Sequence, residues 1–273
     1  MTAPRTGLWA SRSRGLIIFP THESASHLST APALTPLQLI LGWTVTCIAA
    51  TLQGSIGFGL GVLGAPLLVL IDPDLVPGPL LLNALVVTLL VTHRERRSVD
   101  LSGLGWALSG RAVGVVAAAG TLAVLPRDRM SLAIGAAVLL VVAINASGLR
   151  VRPGTGSLIG AGVLSGLTGT ISSVGGPPMA LLYQDAAGSR LRGTLSGYFV
   201  VGVLMSLAAL IVIGRFGVAE LRLGLMLVPG SLAGFVISGR TAAIADRGSL
   251  MRIAVLTVSG VSGAALIARQ LLG

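Results

Sequence analysis

Long stretches without a formal charge constrain this chain more than any motif it carries. From Ser24 to Ile71 there is no Asp, Glu, Lys or Arg, and further charge-free stretches cover 75–93, 130–149, 153–184, 193–214 and 223–239. Each approaches or exceeds the ~18 residues at which an apolar run reads as a spanning helix. Apolar strands of a soluble α/β protein run only about 4–8 residues between polar turns. Charged residues make up 10% of the chain, against about 25% in an ordinary globular protein. That is too little charge to cover a water-facing surface, so the chain reads as an all-α, polytopic helical membrane protein.

The formal net charge is +10, and every one of the 19 basic residues is arginine. They stand in short clusters between apolar runs, where a membrane protein places them, and not along one face as nucleic-acid binding requires. Cys47 is the one cysteine. It can form no internal disulfide and reads as a small buried residue. His22, His27 and His93 lie in the tail or at a span end, and the acids are scattered through tail and loops. No catalytic constellation, metal site or cofactor site emerges. The glycine clusters lack the Lys-Ser/Thr of a phosphate loop, which excludes ATP-driven transport within the chain. The expectation is a protein that is not an enzyme and carries no cofactor.

Residues 1–34 hold Arg5, Arg12, Arg14 and Glu23 among Ser, Thr and Pro, and read as a disordered tail. Spans are expected at 37–57, 78–93, 103–125, 130–149, 156–172, 193–214, 219–239 and 250–270, with short apolar pieces at 59–71 and 174–183. Arg94, Arg96 and Arg97 mark a cytoplasmic loop. If the short pieces turn back without crossing, there are eight spans with both termini cytoplasmic, and Arg190 and Arg192 fall outside. If they cross, there are ten spans and the two halves are inverted relative to each other.

The halves, 35–150 and 151–273, resemble one another. Leu52-Gln53-Gly54-Ser55-Ile56-Gly57 and Leu164-Ser165-Gly166-Leu167-Thr168-Gly169 align at an offset of 112 residues, which also maps Gly64 onto Gly176 and Pro66 onto Pro178. Gly110 and Gly114 match Gly230 and Gly234 at an offset of 120. A glycine cluster ending in proline after the first span of each half resembles the sulfite exporter TauE/SafE family. The resembling stretches are Gly54-x-x-Gly57-x-Gly59-x-Gly61-x-x-Gly64-x-Pro66 and Gly166-x-x-Gly169 followed by Gly175-Gly176-Pro177-Pro178, within a likeness covering about 36–270. The resemblance implies an eight-span permease for sulfite, sulfonates or other organic anions, and export as its direction. The chain departs from the family's glycine triplet: Leu60 and Val62 interrupt the first cluster, and Thr170-Ile171-Ser172-Ser173-Val174 the second.

A glycine-proline break inside a membrane frees backbone N–H and C=O groups, and such a break survives only in protein or beside a water-filled cavity. Two breaks at matching places in two repeats point to a substrate site between them. The short helices are expected to start near Gly64-Ala65-Pro66 and Gly176-Pro177-Pro178, offering N–H groups and about +0.5 of partial charge to an anionic oxygen. The candidate substrate-binding residues are therefore Gln53, Gly54, Gly57, Gly59, Gly61, Asn83, Thr170, Ser172, Ser173, Gly175, Gly176 and Pro177. Each hydroxyl can equally bond its own helix, and Asn83 can equally glue two helices together. The Gly110/Gly114 and Gly230/Gly234 pairs read as helix packing. Arg111, about 12 Å into its span, reads first as snorkelling to the headgroups and second as attracting an anion. Gln184 is placed at an outer mouth or interface, and Asn145 at a span end.

The expected function is a secondary permease for small anions in a cell membrane, with lipid bilayer and substrate as its partners and no nucleic acid. A homo-oligomer is compatible with the sequence. The alternative is a non-transporting membrane scaffold or partner subunit.

Overall fold

The computed structural model describes residues 34–126, 129–147, 151–183, 186, 188–245 and 268. Residues 1–33 of the expected tail, Gln184, the side chain of Asn145 and, but for residue 268, the last expected span, 250–270, lie outside the described residues. What is described is helical. Its helices are α1 (Pro36–Ile56), α2 (Leu60–Ile71), α3 (Gly78–Arg94), α4 (Leu104–Val124), α5 (Met130–Ala146), α6 (Thr155–Ser172), α7 (Gly176–Leu182), α8 (Gly188–Val212) and α9 (Val218–Ala245).

Local chemistry fixes several of the ends. Pro36 opens α1 at a position where its missing N–H costs nothing. A capping box formed by Thr35 and Gln38 satisfies two donors of the first turn. At the other end Gly57 adopts φ 91° and donates its N–H to the Gln53 carbonyl at 2.8 Å. Gly59 follows at φ 131°. Side chains rarely tolerate that backbone, and the two glycines break the helix there. The short helix consequently starts at Leu60, earlier than the expected Gly64–Pro66, and Pro66 sits inside α2. In the second half the expectation holds: α7 opens at Gly176 with Pro177 in its first turn. There the turn is made by Ser173, at φ 63°.

Among the described residues, Pro36–Ile56, Pro73–Arg94, Leu104–Val124, Gly188–Val212 and Val218–Ala242 are long and apolar enough to cross a membrane, and α2 and α5 are shorter apolar helices. Large apolar side chains face outward along them: Ile40 and Ile48 on α1, Val113 and Val116 on α4, Leu204 and Ile211 on α8, Leu225 and Val236 on α9. Outward apolar surface on this scale fits lipid and not water.

Contacts at the helix ends fix how the chain threads. Gln38 Nε2 donates to the Ile71 carbonyl (3.3 Å), so α2 runs back to the end at which α1 began. That end carries Asp72 and Asp74. Arg94, at the far end of α3, donates to the Gly54 carbonyl and to Ser238 Oγ (3.0 Å), which marks the arginine end. Two expectations are corrected here. On the eight-span reading Arg94 and Arg192 stand on opposite sides of the membrane and on the ten-span reading on the same side; both reach Glu95 Oε1 at 3.2 Å. The eight-span reading also sets the start of α1 and the Arg94–Arg97 loop on one side, but α1 starts at the acidic end. The error came from treating α2 as an excursion that returns to the face where α1 ends.

Glycine decides the tightest helix contacts. A Cβ on Gly110 or Gly114 would collide with the Ile159 or Val163 carbonyl of α6, and one on Gly162 or Gly166 with the Ala107 or Arg111 carbonyl of α4. Gly230 and Gly234 of α9 lie as close to Trp43 and Cys47 of α1. Both matched glycine pairs therefore pack helices, as expected. In each case the partners run parallel: 110 faces 159 and 114 faces 163; 230 faces 43 and 234 faces 47.

Candidate functional site

The two breaks meet. A Cβ on Gly61, in the first turn of α2, would collide with the Ser173 carbonyl, and one on Gly176, at the start of α7, would stand 2.7 Å from Phe58 Cβ. Phe58, Val174 and the α7 residues from Gly176 to Leu182 are buried. Gly59, Gly61, Ser173, Gly175, Gly176 and Pro177 thus belong to one interior junction, although the sequence sets the breaks more than a hundred residues apart.

Breaking a helix inside a membrane leaves carbonyls and N–H groups to satisfy, and here side chains satisfy many of them. Gln53 Oε1 accepts from the Leu60 N–H (3.2 Å), closing the first turn of α2. Arg94 donates to the Gly54 carbonyl, and Arg192 Nη1 to the Ser55 carbonyl (3.3 Å). Glu95 Oε1 accepts from Nε of both arginines. The negative end of the α1 dipole is thereby covered by two guanidinium groups. Gly54 is needed for this approach, because a Cβ there would overlap Ser238. Gly57 packs against the backbone of Arg192.

At the second break hydroxyls take the same part. Ser165 Oγ donates to the Gly175 carbonyl (2.6 Å), and Thr168 Oγ1 lies 2.7 Å from the Val174 carbonyl. Ser172 Oγ donates to the Thr168 carbonyl of its own helix (2.8 Å). Ser173 Oγ donates to the Pro77 carbonyl (3.1 Å), and Thr170 Oγ1 is 2.8 Å from Ser206 Oγ on α8. Asn83 stands apart from the junction. Its amide donates to the Pro79 and Gly224 carbonyls at 2.9 Å and accepts from Ser231 Oγ at 2.7 Å, tying α3 to α9.

Arg111 does not snorkel. Its side chain turns inward, 1% exposed, and its guanidinium lies against Gly169, Gly175 and Gly202. Nη1 donates to Ser165 Oγ (2.8 Å) and Nη2 to Ser206 Oγ (3.4 Å). Its Cζ is 5.3 Å from the Tyr198 ring centroid and 5.7 Å from that of Phe199. Snorkelling fails because Arg111 faces α6 and α8 and not lipid, which periodicity in a uniformly apolar span does not reveal.

A cleft of about 580 Å³ opens at the arginine end, lined by Asp100, Trp106, Thr155, Leu158, Tyr183 and Arg190. At its rim Arg190 Nη2 donates to Asp100 Oδ2 at 2.5 Å. Hydrogen bonds from Ser102 and Arg190 hold the Asp100 carboxyl at about 2, below its ordinary 3.8.

The model of one protein family, sulfite exporter TauE/SafE, matches residues 43–266, most of the chain. The chain belongs to the sulfite exporter TauE/SafE family. Comparison with curated proteins and with solved structures gave no match. TauE/SafE membership makes this a multi-pass membrane protein of a transporter family, and the matched region holds both breaks and every candidate residue.

Reasoning from the TauE/SafE motifs alone missed Arg192, Ser206 and Ser238. Ser206 and Ser238 are ordinary residues in apolar spans and carry no signal. Arg192 was visible as a charge beside a span, and the eight-span reading set it on the face away from Arg94. Ser165 lay within the repeated motif and was passed over because only hydroxyls nearer the break were weighed.

Proposed function

We propose that this protein is a secondary permease for small oxyanions, sulfite and sulfonates foremost, working in the export direction without ATP. The observation that carries the reading is the contact of the two helix breaks inside the bundle. Broken helices in corresponding halves are the signature of a transporter's substrate site. At this junction α2 and α7 begin, while arginines cover the end of α1. The balance of dipoles favours an anion there. The cleft at the arginine end is the approach, and the Gly61–Ser173 contact is the closed constriction beyond it. Gln53, Gly54, Gly57, Gly59, Gly61, Thr170, Ser172, Ser173, Gly175, Gly176 and Pro177 shape the junction. Asn83 supports it from the α3–α9 seam.

The same reading takes the halves as inverted repeats. In it α1 corresponds to α6, α2 to α7, α3 to α8 and α4 to α9. The parallel glycine-mediated pairs α1–α9 and α6–α4 are then one contact seen twice. The arginine end faces the cytoplasm of a cell that carries the protein in its plasma membrane, following the bias of short loops.

The test is flux in vesicles reconstituted with the purified chain, screened over sulfite, sulfoacetate, taurine and simple carboxylates. Saturable movement of sulfite or a sulfonate, lost in Gly176→Leu although that variant inserts, is the expected result. Wild-type vesicles no more permeable than empty ones to all of these anions would end the reading.

A further inference from the structure

We propose that Arg111 is the charge partner of the transported anion, and that Ser165, Ser206 and Tyr198 complete its site. The inference rests on the permease reading and adds to it the place and chemistry of binding. A cation withdrawn from water inside a membrane is costly and is kept for a function or held by a counter-charge. Arg111 is 1% exposed, and among the described residues no Asp or Glu forms an ion pair with it. Among the described residues it is held by two neutral hydroxyls and two aromatic rings.

Two buried polar atoms near it lack a partner among the described residues: Nε of Arg111 itself and the hydroxyl of Tyr198, whose ring it faces. Orphaned buried donors call for an explanation. An oxyanion supplies one, since it is acceptor-rich and negative where the site is donor-rich and positive. The guanidinium fork suits two oxygens of one group, and the hydroxyls of Ser165, Ser206 and Tyr198 can turn to donate to it. In this closed arrangement Ser165 and Ser206 occupy the positions an anion's oxygens would take. Ser165 also holds the Gly175 carbonyl of the second break, 2.6 Å away. When an anion draws the Ser165 proton, that carbonyl is released and the break loosens from α6. Binding is thus coupled to the junction that has to open. The ligand class is a small oxyanion with at least two oxygens on one centre, such as sulfite or methanesulfonate.

A purely structural Arg111 would act as a strut between α6 and α8. Thermal stabilisation of the purified protein by sulfite or methanesulfonate, measured beside vesicle uptake, separates the two roles. Sulfite should stabilise the wild type and fail to stabilise Arg111→Gln, with Arg111→Lys between them. Tyr198→Phe removes an unpaired hydroxyl, so a strut predicts no loss in folding or transport. The proposal predicts a KM at least tenfold higher with normal insertion. Equal stabilisation of wild type and Arg111→Gln, or an unchanged KM in Tyr198→Phe, overturns it. Should Arg111→Gln not fold, Tyr198→Phe decides alone. If sulfite and methanesulfonate neither stabilise nor cross with the wild type, the permease reading falls and takes this assignment with it. If the wild type transports but the variants behave like it, only the assignment falls.

Discussion

Gly61 and Ser173 meet backbone against backbone, so close that a Cβ on Gly61 would overlap the Ser173 carbonyl. They bring the first turn of α2 against the left-handed turn that ends α6. Gly61→Val should therefore push the two breaks apart. Overpacking of this kind typically costs about 1–3 kcal/mol. The expected outcome is a lowered melting temperature in detergent and loss of sulfite flux. Wild-type flux from the variant would show that the contact is not on the pathway.

Glu95 bonds both arginines that cover the end of α1. Glu95→Gln leaves Arg94 and Arg192 without their shared carboxylate. Removing one member of a fully buried pair costs about 3–5 kcal/mol. Arg94 here is 25% exposed, so about 1–3 kcal/mol is expected after screening. Chemical unfolding of the variant beside Glu95→Ala measures this. A loss shared by Glu95→Gln and Glu95→Ala is expected, since the charge and not the bulk of the side chain is what matters.

Asn83 is fully satisfied by Pro79, Gly224 and Ser231. Asn83→Ala should weaken the α3–α9 seam by roughly 1–2 kcal/mol, the range for a hydrogen-bonded polar residue between membrane helices. The KM for sulfite should stay at the wild-type value. A large KM change with normal stability would move Asn83 from the seam into the substrate site.

Asp100 gives a pH signature. Its folded carboxyl titrates at about 2, against an ordinary 3.8. A depressed folded value means that the carboxylate's bonds to Ser102 and Arg190 contribute fully above about 4, and that their contribution fades as pH falls from there to about 2. Arg190 is 60% exposed, so the effect is small. The melting temperatures of wild type and Asp100→Asn should differ by a constant amount above pH 5 and converge below pH 4. Divergence on acidification would contradict these bonds to the Asp100 carboxylate.

The threading predicts sidedness. In a Cys47→Ser background, Ser98→Cys and Asp74→Cys lie at opposite ends of the bundle. An impermeant maleimide applied to intact cells should label Asp74→Cys alone. Ser98→Cys should react only after the membrane is opened. Labelling of both from one side would refute the crossing of α2.

Much of this protein was decided locally, and to that extent the sequence suffices. A long apolar run without charge is costly to leave in water, so the helical membrane class follows from 37–71 and its counterparts alone. Only glycine fits the backbone at Gly57 and Gly59, and Pro177 favours a helix start, so the presence of two breaks was legible too. The glycine pairs at 110/114 and 230/234 announced close packing because a missing Cβ has few other uses in a helix.

What needed the tertiary structure was every relation between segments distant in the chain. That Gly61 touches Ser173, that Arg94 and Arg192 share Glu95, and that Arg111 turns inward onto Ser165 and Ser206 depend on which helix faces which. A membrane span is apolar on all sides, so its sequence carries little periodic record of its inward face. The direction of α2 was likewise undecided locally, because a short apolar helix satisfies its backbone whether it crosses or folds back. Packing against α1, fixed by the Gln38–Ile71 hydrogen bond, brings the end of α2 back to where α1 begins.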